Sequence, residues 1–173
     1  SYVDFSFRAP SQTLATNVIG TCNLLEAVKE LKQKTGYNPV IHICSSSEVY
    51  GQVREDEVPI REENALRPAS PYAVSKVGED MLGLQYWLSW GIQTIRTRMF
   101  THTGPRRGEV FALSNFAQQV AAIEAGRQEQ VIHVGNLESV RTWMDVRDAV
   151  RAYWMLVTQC MPGEVYNIGG VET

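Results

Sequence analysis

Short apolar segments rich in β-branched residues alternate along this chain with longer segments of helical periodicity. The segments that we interpret as buried strands are 39–44, 92–100, 131–134 and 165–168. The segments in which apolar residues recur every three or four positions, and which we predict to be helices, are 11–34, 71–90, 111–125 and 145–159. This alternation predicts an α/β fold in which helices cover both faces of a doubly wound parallel sheet.

Length and composition narrow the classes of function. The 173 residues are enough for one domain, which we assign to 1–173. The net charge of −3 argues against a protein that binds nucleic acid, and no apolar run approaches the roughly 18 residues of a membrane span. The three cysteines form no C-x-x-C pair, so we expect reduced thiols and a cytoplasmic location. Charged residues concentrate in 51–69, which we predict to be a solvated loop; the alternative is a binding surface.

Three serines and a glutamate follow the first predicted strand. Ser45, Ser46, Ser47 and Glu48 come directly after segment 39–44. Ligands of open α/β sheets bind at the carboxyl ends of the strands, and hydroxyl and carboxylate groups there can move protons. The alternative is a structural turn, because serine hydroxyls also bond to their own backbone in turns.

Tyr72 and Lys76 lie four residues apart in the predicted helix 71–90, so they share one helix face. An ammonium beside a phenol favours the phenolate, which makes Tyr72 a candidate acid and base. The alternative is a surface lysine beside a half-buried tyrosine. No group of His, Cys and Asp has the spacing of a zinc site, and we predict no metal.

Several segments occur together in the order found in one family. They are NVIGTCNLLEA at 17–27, SSSEVYG at 45–51, RPASPYAVSK at 67–76, TGP at 103–105, RTW at 141–143 and VYNIG at 165–169. The chain resembles the extended short-chain dehydrogenase/reductases that act on nucleotide-diphospho sugars. This resemblance implies a Rossmann-type sheet, a nicotinamide cofactor (NADP or NAD) and a nucleotide-diphospho-sugar substrate.

The resemblance also implies roles for the residues at the strand end and on the helix. Ser45, Tyr72 and Lys76 would hold the cofactor. Ser46 would bond to the 4-oxygen of the sugar, and Tyr72 would take or return the proton of that oxygen. Lys76 would lower the pKa of Tyr72.

The glycine-rich phosphate-binding loop of the family is not found in this sequence. We therefore expect the chain to be a partial domain that lacks the N-terminal glycine-rich half of the Rossmann fold. We also expect part of a small substrate lobe, with its elements within 101–142 and 160–173.

Glu48 discriminates between the activities of the family. In its 4,6-dehydratases a glutamate at this position removes the proton from C5 of the sugar. The run PRRGE at 105–109 is similar to that of the GDP-mannose 4,6-dehydratases, and we favour that group. The run FTHTGP at 100–105 is closer to the GDP-4-keto-6-deoxymannose reductases, which remain an alternative. Two further alternatives are a 4-epimerase and a non-catalytic, nucleotide-sensing scaffold.

The resemblance further implies a set of substrate-binding residues and a mode of assembly. The residues expected to bind substrate are Ser47, Thr101, His102, Arg106, Arg107 and Arg141. Members of the family dimerise through a four-helix bundle. We therefore expect a homodimer, or a dimer of dimers, through helices 11–34 and 71–90.

Overall fold

The computed structural model describes residues 2–170, in which helices cover a parallel sheet. The helices are α1 (Val3–Arg8), α2 (Pro10–Leu14), α3 (Gly20–Thr35), α4 (Pro71–Trp90), α5 (Ala112–Glu124) and α6 (Val146–Gln159). The strands are β1 (Ile41–Cys44), β2 (Thr94–Met99), β3 (His102–Thr103), β4 (Met144–Asp145) and β5 (Val165–Ile168). The predicted α/β fold is confirmed. None of the helices within 2–170 is long and apolar enough to cross a membrane.

The predicted span 1–173 and the lobe segment 160–173 both reach beyond the residues that the structure describes. Ser1 and residues 171–173 lie outside them.

The main sheet has the order β1–β2–β5, and both of its strand pairs are parallel. Cys44 lies opposite Thr97, which in turn lies opposite Tyr166. The carboxyl ends of the three strands therefore meet at one edge of the sheet. A separate parallel pair, β3 with β4, brings His102 opposite Met144.

Capping residues set the ends of the main helices where the sequence predicts them. Ser70 accepts a hydrogen bond of 3.0 Å from the Ala73 N–H at the start of α4. Gly91 ends the same helix in the left-handed conformation, with φ 61°. Asp145 caps α6 by accepting from the Arg147 N–H at 2.8 Å.

Two predicted elements differ from the structure. The segment 11–34 is not one regular helix, because a π-helical turn (Ala15–Ile19) separates α2 from α3. The prediction of a strand at 131–134 is wrong. The side chain of Gln119 accepts from the N–H of His133 at 2.7 Å and donates to its carbonyl at 2.9 Å. A side chain thus satisfies the backbone groups that a neighbouring strand would bind.

Helices pack on both faces of the sheet, as a doubly wound fold requires. On one face, buried side chains of α3, β1, α4 and the connection from α4 to β2 form the core, namely Leu25, Val28, Ile43, Tyr86 and Ile92. On the other face, the ring of His42 lies 4.5 Å from that of Tyr153 in α6. His42 also bonds to Thr97 at 2.8 Å, and burial lowers the pKa of this histidine.

A buried ion-pair network joins α4 to β2. Asp80 has a fully buried side chain and accepts from Arg96 at 2.9 Å and from Arg98 at 2.8 Å. Arg96 also donates to the carbonyl of Gly163, and Arg98 donates to the hydroxyl of Tyr50 at 3.0 Å. Buried charges need partners of this kind, so the network fixes the position of α4 along the sheet.

The same network binds the loop that the sequence predicts to be solvated. Arg98 donates to the carbonyl of Glu62 at 2.8 Å, and the Glu62 carboxylate accepts from the Asn167 N–H at 2.6 Å. The prediction for 51–69 is therefore wrong for this part of the loop, although Glu55 and Asp56 are exposed. The loop is attached to the sheet at β2 and β5.

Replacing Asp80 with alanine removes the counter-charge of two buried guanidinium groups. We expect Asp80→Ala to lower the free energy of unfolding by about 3–5 kcal/mol, the usual result of breaking a buried ion pair. Chemical denaturation of the purified protein measures this loss.

Asp56→Ala is the matched control, since Asp56 is an exposed partner of Arg54. We expect it to leave the denaturation midpoint unchanged. A loss of less than about 1 kcal/mol in Asp80→Ala, as for a surface pair, would contradict the role given to the network.

Candidate active site

A short turn at the end of β1 carries the serines and Glu48. Ser46 is almost fully buried and caps a 3-10 turn, Ser47–Tyr50, by accepting from the Glu48 N–H at 3.2 Å. Among the described residues, Ser46 donates its own hydroxyl hydrogen to no partner. Ser47 is half-buried and Glu48 is exposed. The turn thus presents a hydroxyl and a carboxylate at the carboxyl edge of the sheet.

Two hydrogen bonds join this strand end to α4 at the level of Lys76. Ser45 donates to the carbonyl of Lys76 at 3.1 Å, and the Lys76 ammonium donates to the carbonyl of Cys44 at 2.9 Å. The Lys76 Nζ lies 5.8 Å from the centre of the Tyr72 ring. The expected shared face of Tyr72 and Lys76 is therefore present, and it borders the strand end.

The first turn of α4 is braced from the π-helical turn. Asn17, within that turn, donates to the Ser75 hydroxyl at 2.8 Å, and Ser75 donates to the carbonyl of Tyr72 at 2.6 Å. Ser75 is fully buried. The backbone that carries Tyr72 and Lys76 is consequently held from two sides, by β1 and by the π-helical turn.

An open cleft forms beside the small β3–β4 pair. A cavity of about 190 Å³ is lined by His102, Thr103, Gly104, Pro105, Arg106, Arg107 and Val146. An adjoining one of about 400 Å³ reaches Leu113, Ser114 and Ala117 at the start of α5. Arg106 has a positive φ of 71°, and the Arg107 guanidinium lies 3.5 Å from the centre of the Phe111 ring.

The other two predicted substrate residues are Thr101, which directly precedes β3, and Arg141, which lies three residues before β4. The carbonyl of Thr101 accepts from the Met144 N–H at 3.1 Å, and its side chain is half-buried. Arg141 is exposed and donates to the carbonyl of its neighbour Val140 at 2.8 Å. The structure therefore brings His102, Arg106 and Arg107 together and leaves Arg141 outside the cleft.

The whole sequence matches one family. A family model described as GDP-mannose 4,6 dehydratase matches residues 1–173. The chain belongs to the GDP-mannose 4,6-dehydratase family.

Relatives with two different activities are similar to this family member. It is 38% identical over 168 residues to GDP-6-deoxy-D-mannose reductase of Pseudomonas aeruginosa, covering 97% of the chain and 54% of the relative. It is 37% identical over 164 residues to GDP-mannose 4,6-dehydratase of Yersinia enterocolitica, and the match covers 94% of the chain and 42% of the relative. The chain spans about half the length of these curated relatives.

A solved structure supports the same fold. The structure of RMD from Pseudomonas aeruginosa, complexed with NADPH, superposes with a TM-score of 0.92 at 36% identity. The match covers 99% of this chain and 57% of that one. The Rossmann-type fold implied by the sequence is confirmed.

Sequence reasoning missed the charged residues that support the site in this family member. Asp80 and Glu79 were not singled out, nor were Arg96 and Arg98. The sequence contains one signal for them. Arginines two residues apart in a strand lie on the same face of the sheet, and α4, which packs on that face, carries a carboxylate that can pair with them. Within the described residues, no group of three His, Cys, Asp or Glu side chains is placed to hold a metal.

The turn that carries Glu48 depends on the glycine that ends it. Gly51 has φ 61°, and a Cβ at this position would lie 1.8 Å from the backbone oxygen of Arg67. We expect Gly51→Ala to lower the free energy of unfolding by about 3 kcal/mol, through backbone strain and the clash. Thermal denaturation measures the loss.

Gly20→Ala is the matched control, because nothing lies within 4 Å of a Cβ at Gly20. If both alanine variants were equally stable, the geometry assigned to this turn would be wrong.

Proposed function

We propose that the protein carrying this chain is a nucleotide-sugar 4,6-dehydratase that acts on GDP-mannose with NADP as the cofactor. The observation that carries the proposal is the exposed Glu48, one residue from the half-buried Ser47 and in the turn that Ser46 caps. A reductase of the keto sugar needs the hydroxyl, phenol and ammonium groups, but it needs no carboxylate here.

Ser46 and Tyr72 act on the 4-oxygen of the sugar. The Ser46 hydroxyl accepts from the Glu48 N–H and can donate its own hydrogen to that oxygen. Tyr72, as the phenolate, takes the proton of the 4-hydroxyl while C4 becomes a ketone. The positive charge of the Lys76 ammonium lies 5.8 Å from the centre of the phenol ring and supports this role electrostatically.

The residues at the strand end fit the ribose end of a nicotinamide cofactor. An ammonium has three N–H donors, and Lys76 uses two of them, on Cys44 and Glu79. The third suits a ribose hydroxyl. Ser45 is buried and already donates to the Lys76 carbonyl, so it positions the backbone of Lys76 beside the cofactor. The nicotinamide, when bound, accepts a hydride from C4 and returns it at C6.

Glu48 acts on C5. The ketone at C4 acidifies the C5–H bond, and the carboxylate takes that proton. The electron pair of the broken bond forms a double bond between C5 and C6. The C6 hydroxyl leaves as water with a proton from solvent, and Tyr72 gives up to solvent the proton that it took from the 4-hydroxyl. Ser47, the preceding residue, binds the departing hydroxyl. Glu48 returns its proton to C5 when C6 is reduced, so the net change is the loss of one water.

The cleft beside β3 and β4 would receive the nucleotide diphosphate. Arg106 and Arg107 supply fixed positive charge, and guanidinium groups bind phosphate oxygens in pairs. His102 lines the same cleft, and Thr101 precedes it. Arg141 lies outside this cleft, on the exposed segment before β4, and we propose that it binds the diphosphate from there. The segments 101–142 and 160–173 are our proposed substrate lobe.

A reductase of GDP-4-keto-6-deoxymannose is the second candidate. The similarity to the Pseudomonas aeruginosa reductase, at 38% identity, favours it. Such an enzyme uses Ser46, Tyr72 and Lys76 to deliver a proton to the 4-oxygen and leaves Glu48 idle. An epimerase would also not use Glu48. In a nucleotide-sensing scaffold, Tyr72→Phe would change no measured turnover.

The variant Glu48→Gln separates the candidates. We expect it to reduce water elimination from GDP-mannose by about 10²–10⁴-fold, since general bases contribute that much. Oxidation at C4 should persist, and the reduction of NADP that accompanies it in a single turnover is the measure of this step. Product analysis by mass spectrometry and absorbance measures the two steps.

Glu55→Gln is the matched control, because Glu55 is an exposed carboxylate in another 3-10 turn. It should eliminate water at the wild-type rate. Elimination by Glu48→Gln at the wild-type rate would contradict the role of Glu48. Reduction of the keto sugar by NADPH, without any elimination in the wild type, would establish the reductase.

We also propose a homodimer in the cytoplasm, formed through 11–34 and 71–90. Val74, Met81 and Leu88 recur every seven residues on α4 and are 47%, 37% and 72% exposed. Such a stripe is the seam of a helix bundle. The three cysteines are free thiols, as the reducing cytoplasm allows.

A charge in this stripe should separate the subunits. We expect Leu88→Glu to be monomeric at concentrations where the wild type is dimeric, because the carboxylate would be buried unpaired. Sedimentation equilibrium measures the mass. Val58→Glu, at a 62% exposed position in the loop, is the control and should remain dimeric. A wild-type monomer, or a dimeric Leu88→Glu, would contradict this interface.

A further inference from the structure

Glu79 is a buried carboxylate one turn from Lys76 on α4. Its Oε2 accepts from the Lys76 ammonium at 2.7 Å, and the side chains of Lys76 and Glu79 are 15% and 9% exposed. Burial raises the pKa of Glu79, while the ammonium opposes this effect. A charged pair this deep gives little net stability, since desolvation offsets the attraction. Stability alone therefore does not account for Glu79.

The position of Glu79 fixes the ammonium between two acceptors. Lys76 donates to Glu79 on its own helix and to the Cys44 carbonyl at the end of β1. A lysine side chain has several rotatable bonds, and one acceptor would leave the ammonium free to swing. Two acceptors on different elements hold it at one point, with one N–H remaining for another partner.

The exposed pair on α3 shows the contrast. Lys34 and Glu30 also lie one turn apart, but their side chains are 73% and 60% exposed. Neither borders the carboxyl edge of the sheet. The buried pair differs in that its lysine lies beside Tyr72 and the strand end, where the chemistry of the proposed function takes place.

We propose that Glu79 is a positioning residue that holds the Lys76 ammonium fixed between α4 and β1. This inference rests on the proposed function, because the value of a fixed ammonium lies in its action on Tyr72 and the cofactor. Glu79 itself touches neither reacting atom. Its effect on turnover passes through Lys76.

A double-mutant cycle tests the coupling. We expect Glu79→Ala to reduce kcat/KM for GDP-mannose about tenfold in the wild-type background. It should have less than about a twofold effect when Lys76 is already alanine, because residues that act as a unit are not additive. Equal losses in the two backgrounds would overturn the proposal. Glu30→Ala is the matched control and should leave kcat/KM unchanged.

A second measurement does not depend on turnover. Acylation by an amine-reactive ester, followed by peptide mass spectrometry, compares Lys76 with the exposed Lys34 in the same molecule. In Glu79→Ala the ammonium keeps only the Cys44 carbonyl as an acceptor, so the Lys76 side chain is freer to reach the reagent. We expect its labelling relative to Lys34 to rise about fivefold or more in Glu79→Ala.

The two measurements separate the two proposals. Unchanged labelling of Lys76 overturns the role of Glu79, whatever the protein catalyses. Increased labelling in a protein that does not dehydrate GDP-mannose supports the positioning role and refutes the proposed function alone.

Discussion

The carboxylate of Asp80, held between Arg96 and Arg98, sets the position of α4 against the sheet. Lys76 lies one helical turn before Asp80, so the level of the ammonium beside the end of β1 follows from this contact. The same arginines reach Gly163, Tyr50 and the loop carbonyl of Glu62. One buried charge therefore aligns α4, the loop that contains Glu62, the segment that contains Gly163, and the strand edge on which the candidate site lies.

Two adjacent acidic residues of α4 have different tasks. Successive residues project about 100° apart around a helix, so Glu79 and Asp80 reach different neighbours. Asp80 faces the arginines of β2, and Glu79 faces the ammonium of Lys76. The helix is thus tied to the sheet by one carboxylate, and its reactive lysine is held by the other. Both are buried. Glu79 is paired with one cation and Asp80 with two.

Local signals made part of this structure predictable. Ser70 and Gly91 set the ends of α4, and the four-residue spacing of Tyr72 and Lys76 placed them on one face. The family resemblance supplied the rest of the candidate site. The Asp80 network was not predictable in the same way, because its partners are distant in sequence and packing brings them together. The segment 131–134 has the composition of a strand, but composition does not supply a neighbouring strand to pair with.

The central claim is that the turn after β1 adds a C5 base to an alcohol-oxidising site. The most direct test incubates the purified protein with GDP-mannose and catalytic NADP in deuterated water, without a reductant. We predict a product that has lost one water and gained one carbon-bound deuterium at C5, because the C5 proton passes through a carboxylate that exchanges with solvent. Recovery of unchanged GDP-mannose, together with NADPH-dependent reduction of the 4-keto-6-deoxy sugar, would contradict it.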